Sequence, residues 1–444
     1  MSLFSTMNTS ASGLGTSSAN LGIIGDNIAN INTTGYKKNR GEFADFLPQT
    51  VFGMAGPSQL GTGANLNQIA AIFAQGSIDQ SENALDMAIS GDGFFVVRDG
   101  INNYYSRAGA FFVDDAGFIV NAQGLNLQGY GADQGTLGAT VQDLQVDLNP
   151  LAPAATTEIQ MNALLSAEAD FATTPLTSGT LDIVTGTGDT LEDAANAADF
   201  ATSVTVYDSL GQAHEVTILY ERTGTNDYNW FAVVDAGELD APAGTYTAGD
   251  AFTIASGTTT FDTAGDLTAF TQTNTSGATA WNFVGAAAGD YVFDFGVDVA
   301  GNPADGQVRL LSGESAVSAI SQDGYPPGDL ISLSVDTEGV ITGQFSNGQD
   351  IQLGRVVLAR FPSNAGLERV GNTLFRETLA SGQPAIGQPD TGGRGKVIGN
   401  ALEKSNVDLE DEFVNMITSQ RTYQANARMI GTANDTLQEL VQLV

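Results

Sequence analysis

The 444-residue sequence has no cysteine, which excludes disulfides, thiolate nucleophiles and cysteine-based metal sites. It has one histidine, His214, so a Cys–His pair and a multi-His metal centre are also excluded, and a Ser–His triad has no support. Basic residues are scarce. Sixteen Lys and Arg stand against 51 Asp and Glu, a formal net charge of −35, and such a surface repels both nucleic acid and anionic membranes. From Leu151 to Asp350 the only cations are Arg222 and Arg309, and no Lys occurs between Lys38 and Lys396. No run reaches the roughly eighteen apolar residues of a membrane span, so membrane insertion is not expected. The first thirty residues lack a basic start and space their apolar residues helically, unlike a Sec-type signal peptide.

What remains could still carry chemistry, and the candidates are weak. Asp114 and Asp115 suggest calcium or a glycosidase, but EF-hand spacing is missing and Asp is what hairpin turns use anyway. Gly186, Thr187 and Gly188 lack the rest of a phosphate loop. No catalytic, cofactor-binding or metal residues emerge, and the protein reads as a non-enzyme without a cofactor.

Periodicity, by contrast, is abundant at both ends. Leu409, Met416, Tyr423, Ile430, Leu437 and Val444 recur every seven residues, and Phe413, Gln420, Ala427, Asn434 and Val441 fill the interleaved register. This is the pattern of one long helix with a narrow apolar seam, about 54 Å long at 1.5 Å per residue. Asp408, Glu410, Asp411 and Glu412 crowd its first turn, where negative charge suits the helix dipole. Near the N-terminus, Met7, Leu14, Leu21 and Ile28 form one register, and Leu3, Ser10, Ser17, Ile24 and Ile31 the other. Gly13, Gly15, Gly22 and Gly25 each cost about 1 kcal/mol relative to Ala, so this helix is marginal alone. Two seams at opposite ends of one chain predict pairing with each other and with neighbouring copies.

Between them the texture is that of short strands. Asn30 to Gly35 stops the first helix, and the basic run Tyr36 to Arg40 reads as a solvated turn. Phe43 to about Gln75 shows no sustained period and reads as an irregular connector. Strand and turn signals follow at Ala88–Val97, Phe111–Val120 and Leu125–Gln128, and return at Leu330–Val335, Val340–Phe345 and Ile351–Phe361. Val204 to Val234 carries its own strands in an acidic, Thr- and Gly-rich body. At 42% hydrophobic residues the chain can bury cores, and its length calls for several domains. The expected class is mixed: terminal α-helical coiled-coil segments around nested all-β domains. The expected divisions are 1–32 with 402–444 (helical), 33–83 with 387–401 (connector), 84–146 with 316–386 (β domain) and 147–315 (inserted outer β domain).

Four stretches resemble one known family. Ala29-Asn30-Ile31-Asn32-Thr33-Thr34-Gly35-Tyr36-Lys37 is similar to the N-terminal motif of bacterial flagellar rod and hook proteins. Ser405-Asn406-Val407-Asp408-Leu409, with Gln420-Arg421-Thr422-Tyr423-Gln424, resembles their C-terminal motif. Leu85 to Ile89 with Gly93-Phe94-Phe95, and Tyr105-Ser106-Arg107-Ala108-Gly109, resemble their shared β domain. Within the family, Tyr325 to Leu330 and the long insert look like the hook type rather than the distal rod, which has little in the middle. The resemblance implies an extracellular helical homopolymer that couples a motor to a filament. It further implies flagellar type III export, contacts with rod, hook-cap and hook–filament junction proteins, and no cofactor. An acidic cell-surface coat or adhesin protein, which would explain the acidic middle but not the heptads, and a secreted polysaccharide hydrolase are the alternatives from other classes.

Overall fold

The structure, a computed structural model, describes residues 3–53, 56–133, 135–147, 149–171, 190–240, 248–274, 282–297 and 306–442. Gly186 to Gly188 and Val444 lie outside them. The chain forms two compact units, Met1–Leu148 with Leu330–Val444, and Asn149–Asp329. Helix α1 is Leu3–Ala29, α2 is Leu191–Ala197 and α3 is Leu409–Gln442. At 34 residues α3 is about 51 Å long.

In the first unit a large sheet draws strands from both flanks of the chain. Its path runs Leu330–Val335, Val340–Phe345, Asp350–Val356, Asn126–Asp133, Phe94–Asp99, Asn102–Ser106, Leu374–Arg376 and Glu368–Gly371, with further strands branching off. The run Phe94-Phe95-Val96-Val97 explains why the sheet is central. Its alternate side chains enter two different cores, Phe95 and Val97 with Met87, Phe111 and Val356, and Phe94 and Val96 with Tyr105, Phe361 and Phe375. A strand buried on both faces needs no polar alternation.

Two stretches depart from their sequence reading. Residues 39–71, read as irregular, contain a hairpin in which Asn39–Asp45 pairs antiparallel with Ala64–Ala71, with Gln49–Gly53 and Gly56–Leu60 pairing beyond it. It escapes a period count because its inner face is small and docks on α1. A Cβ on Gly41 would sit 3.0 Å from Ile23 Cδ1, and the Ala64 N–H donates to Ser12 Oγ at 3.3 Å. The 387–401 stretch is likewise stranded, Lys396–Gly399 on Met87–Ser90.

The second unit packs two sheets on one aromatic core. Phe200–Tyr207, Ala213–Arg222, Asp227–Asp235, Ala251–Phe261 and Leu267–Phe270 run antiparallel in order. The other sheet is built on Glu158–Ser166, flanked by Val292–Asp294 and Gln307–Leu311 and, opposite them, by Ala316–Gln322. That last strand carries the unit past the boundary at 315 expected from composition. Trp230, fully buried among Phe270, Phe293 and Phe295, donates its indole N–H to the Thr271 carbonyl at 3.1 Å. His214 stacks on Phe283, ring centroids 3.5 Å apart, with Glu238 at 2.7 Å from Nδ1.

One device recurs at the turns. Asp114, Asn121, Asp208, Asp262 and Asp336 each accept, through Oδ1, the backbone N–H groups two and four residues on. The third residue after each is a glycine with positive φ: Gly117, Gly124, Gly211, Gly265 and Gly339. Replacing Trp230 by Ala empties the centre of the second unit and is expected to lower its stability by about 3–5 kcal/mol, measured by urea unfolding of the full chain.

Candidate functional site: paired terminal helices and their buried clasp

Helices α1 and α3 meet along a line of small residues. On α1 the buried positions are Ser10, Ser17, Ile23, Ile24 and Asn27, of which Ser10, Ser17 and Ile24 share one seven-residue register, and on α3 they are Glu412, Ser419 and Ala433 with Asn426 half-buried. Backbones approach closely there: a Cβ on Gly13 would lie 2.6 Å from Asn426 Nδ2, and Asn20 Nδ2 donates to Ser419 Oγ at 2.6 Å. Of the expected seam, Ile24 is buried, while Met7, Leu14, Leu21, Ile28, Ile31, Met416, Ile430 and Leu437 are half-buried. Leu409, Phe413 and Tyr423 are exposed, and the side chain of Val441 lies outside the described residues. The buried register on α3 therefore runs one residue before Phe413, Gln420, Ala427 and Asn434. Small groups win the inside because two helices with Gly and Ser at the contact can approach where Phe would hold them apart.

Larger apolar groups stay outside. Phe413 keeps 47% of its surface exposed and Val414 63%, with Leu409, Ile417 and Met429 also uncovered. On the opposite side of α1, Ala11, Gly15, Ser18, Gly22, Gly25 and Ala29 form an exposed stripe at 4-3-4-3-4 spacing. Nothing lies within 4 Å of where a Cβ would stand on Gly15, Gly22 or Gly25.

The helices spring from a buried ionic clasp. The basic run expected to be a solvated turn instead sends Lys37 inward, 0% exposed, to Glu403, also 0% exposed, at 2.5 Å. The second carboxylate oxygen faces Arg107, 2% exposed, at 3.4 Å. Lys37 Nζ also donates to the Ala74 carbonyl at 2.9 Å, the Gly76 N–H donates to Glu403, and Arg107 donates to the Gly91 carbonyl while lying over the Phe94 ring. Burial lowers both Lys37 and Arg107 from their ordinary values, and the Glu403 carboxylate offsets part of that lowering. Glu403 and Gly76 had no periodic signature, and the hints were that Lys37 and Arg107 lie in the motif stretches and that the chain is poor in Lys.

Around the clasp, three of the sequence motifs converge. Asn27 exchanges two hydrogen bonds with the Asn39 backbone at 2.8 and 2.9 Å. Asn406 accepts from the Lys38 N–H at 2.7 Å and donates to the Ile72 and Ala74 carbonyls, and the Gly35 N–H donates to the Glu403 carbonyl at 2.8 Å. Gly35, φ +70°, passes so near Ala108 that a Cβ would sit 2.3 Å from its nitrogen. Thr33 donates to Asn30, which itself donates to the Asp26 carbonyl, and Asp408 caps α3 by accepting from the Glu410 N–H at 2.9 Å. Tyr36 donates to Asp26 at 2.9 Å and lies under Arg369, which also donates to the Lys37 carbonyl. Asn32 and Thr34 lie beside these at the surface and half-buried; Gln420, Arg421 and Gln424 project from α3 into solvent, away from the clasp.

This geometry fixes where the two helices leave the β unit. Glu403→Gln removes the counter-charge that two buried cations share and is expected to lower stability by about 3–5 kcal/mol, read as a drop in the urea midpoint at unchanged slope. Burial, with the Asp26 carboxylate beside it, pushes the Tyr36 phenol up to about 12. A raised value means that the Tyr36 contribution is complete below pH about 10 and is lost as pH rises towards 12. The stability advantage of the wild type over Tyr36→Phe is therefore expected to shrink between pH about 10 and about 12, measured by urea unfolding at each pH.

Comparison with known proteins places this arrangement. Family models match in chain order: Flagella basal body rod protein over residues 7–37, Flagellar hook protein FlgE/F/G D1 domain over 88–163, Flagellar basal body protein FlaE D2 domain over 180–325, and Flagellar basal body rod FlgEFG protein C-terminal over 398–443. The class is thus that of flagellar rod and hook proteins. The flagellar hook protein FlgE of Salmonella typhimurium is 34% identical over 97% of this chain and 98% of its own length. That of Escherichia coli K12 is 33% identical and that of Borreliella burgdorferi 31%, each with the same coverage. A solved structure of Helicobacter pylori flagellar hook protein FlgE2 shares the fold, with a TM-score of 0.52 at 16% identity over 73% of this chain and all of that one. The chain belongs to the flagellar hook protein family.

Proposed function

We infer that this chain is the structural subunit of the flagellar hook, polymerising outside the cell into a flexible helical tube that transmits torque from motor to filament. The observation that carries it is the inversion of the helix pair: small residues meet inside, and Leu409, Phe413, Val414 and Ile417 face outward on α3. An exposed apolar stripe of this length calls for a protein partner. A contact whose two faces differ, repeated without closing into a ring, builds a helical filament. Hook proteins matched across nearly the whole chain support the same reading. Neighbouring rod, hook-cap and hook–filament junction proteins would meet the ends of such a tube, and passage through the flagellar export apparatus requires the terminal segments to be unfolded en route. The role is structural rather than catalytic.

Two of the seam's features bear on how the monomer behaves. The α1–α3 contact is narrow and partly polar, so it stabilises the pair weakly until neighbours cover the outer faces. Purified monomer is expected to lose both termini to brief proteolysis and to keep the β units. Addition of a precipitant should yield curved tubes, seen by electron microscopy, in which residues near 3–29 and 409–442 resist cleavage. Termini that are protected in a monomer unable to polymerise would defeat the reading.

A further inference from the structure

The basic residues of this acidic chain are almost all in use. Of its sixteen Lys and Arg, twelve have a side-chain hydrogen bond or ion pair within the chain. Among the described residues, the exceptions are the side chains of Lys38, Arg360, Arg421 and Arg428. Two of these four stand on α3, one helical repeat of seven residues apart. Neither has an acid three or four residues away in either direction, where a helix places its ion-pair partners. Both are exposed.

Their position on the helix is informative. Glu410, Val414, Ile417, Arg421, Gln424 and Arg428 follow one another at 4-3-4-3-4 spacing, all exposed, so they form a single stripe. The stripe is acidic at its start, apolar next, and basic at its far end. Beside the acidic end, Glu412 is only 5% exposed, its carboxylate has no hydrogen-bond or ion-pair partner among the described residues, and it lines a cavity of about 260 Å³ between α1, α3 and the hairpin. Within one copy the two ends of the stripe cannot meet. Eleven residues separate Glu410 from Arg421 and eighteen separate it from Arg428, about 16 and 27 Å along a straight helix.

We propose that Arg421 and Arg428 are intermolecular cations, and that their partner is the acidic first turn of α3 in a second copy of this chain. A parallel copy displaced along the helix by about 16 Å sets Arg421 beside Glu410, and one displaced by about 27 Å sets Arg428 there. The charges thereby select an axial stagger, while Val414 and Ile417 supply the apolar area between them. Like-charged ends oppose the unstaggered arrangement, since zero displacement aligns Arg with Arg and Glu with Glu. The inference rests on the assembly reading above and names the groups that set its register.

Charge reversal tests it by sedimentation of polymer from a concentration series of full chain. Arg421→Glu with Arg428→Glu is expected to raise the critical concentration at least tenfold while leaving the circular dichroism and melting of the monomer unchanged. Adding Glu410→Lys to that variant should recover most of the loss. Assembly of the double variant at the wild-type concentration overturns the proposal, and so does a triple variant no better than the double. Failure of the wild type itself to polymerise would instead tell against the assembly reading, so the two failures are distinguishable.

Discussion

A single buried carboxylate holds the two ends of this chain together. Glu403, with no exposed surface, is shared between Lys37 from the N-terminal side and Arg107 from the β sheet. Burying three charges is tolerable only because each is met by the others and by backbone groups at Ala74, Gly76 and Gly91. Each long helix has one end near that cluster in the chain, α1 ending at Ala29 before Lys37 and α3 beginning at Leu409 after Glu403. The orientation of each is then set at its root: Asn27 and Asn406 tie the backbone at Asn39 and Lys38, and Arg369 covers Tyr36. A change at Glu403 acts on the helices through their common base and touches neither seam.

How much of this was legible depended on whether the signal was periodic. Helix α3 repeats at 3.5 residues and the strand Phe94–Asp99 begins as an unbroken apolar run after a Gly-Asp-Gly turn, and both were readable. The choice of inner register was not, because a count of apolar residues favours Phe413 whereas close approach favours Glu412, Ser419, Asn426 and Ala433. The hairpin from Asn39 to Ala71 was missed for a related reason. Its partner is a helix face with Ile23 and Ser12, so it has no need of an alternating apolar face of its own. The clasp was half visible: the motifs around Asn30–Lys37, Arg107 and Asn406 stood out, but only the fold brings them within hydrogen-bond reach of Glu403.

The acidity of the chain has a local cause as well as a global effect. Asp114, Asp208, Asp262 and Asp336 are spent on the same turn, each fastening the two backbone N–H groups on either side of a left-handed glycine. Asn121 does the same without a charge, which shows that the side-chain oxygen, not the charge, is what the turn requires. Part of the negative charge is therefore a by-product of turn chemistry in a protein made of many short strands.

The bare stripe on α1 carries a mechanical consequence. Ala11, Gly15, Ser18, Gly22, Gly25 and Ala29 present almost no side chain beyond Cβ. Ordinary helix faces mesh like gears, with ridges seated in grooves, and moving one past another requires lifting each ridge out of its groove. A face without ridges lacks those teeth. A rod laid along it would meet a nearly flat rail, held close by dispersion yet free to travel a fraction of a turn at little cost, while the clasp at the root keeps the rail itself from tilting.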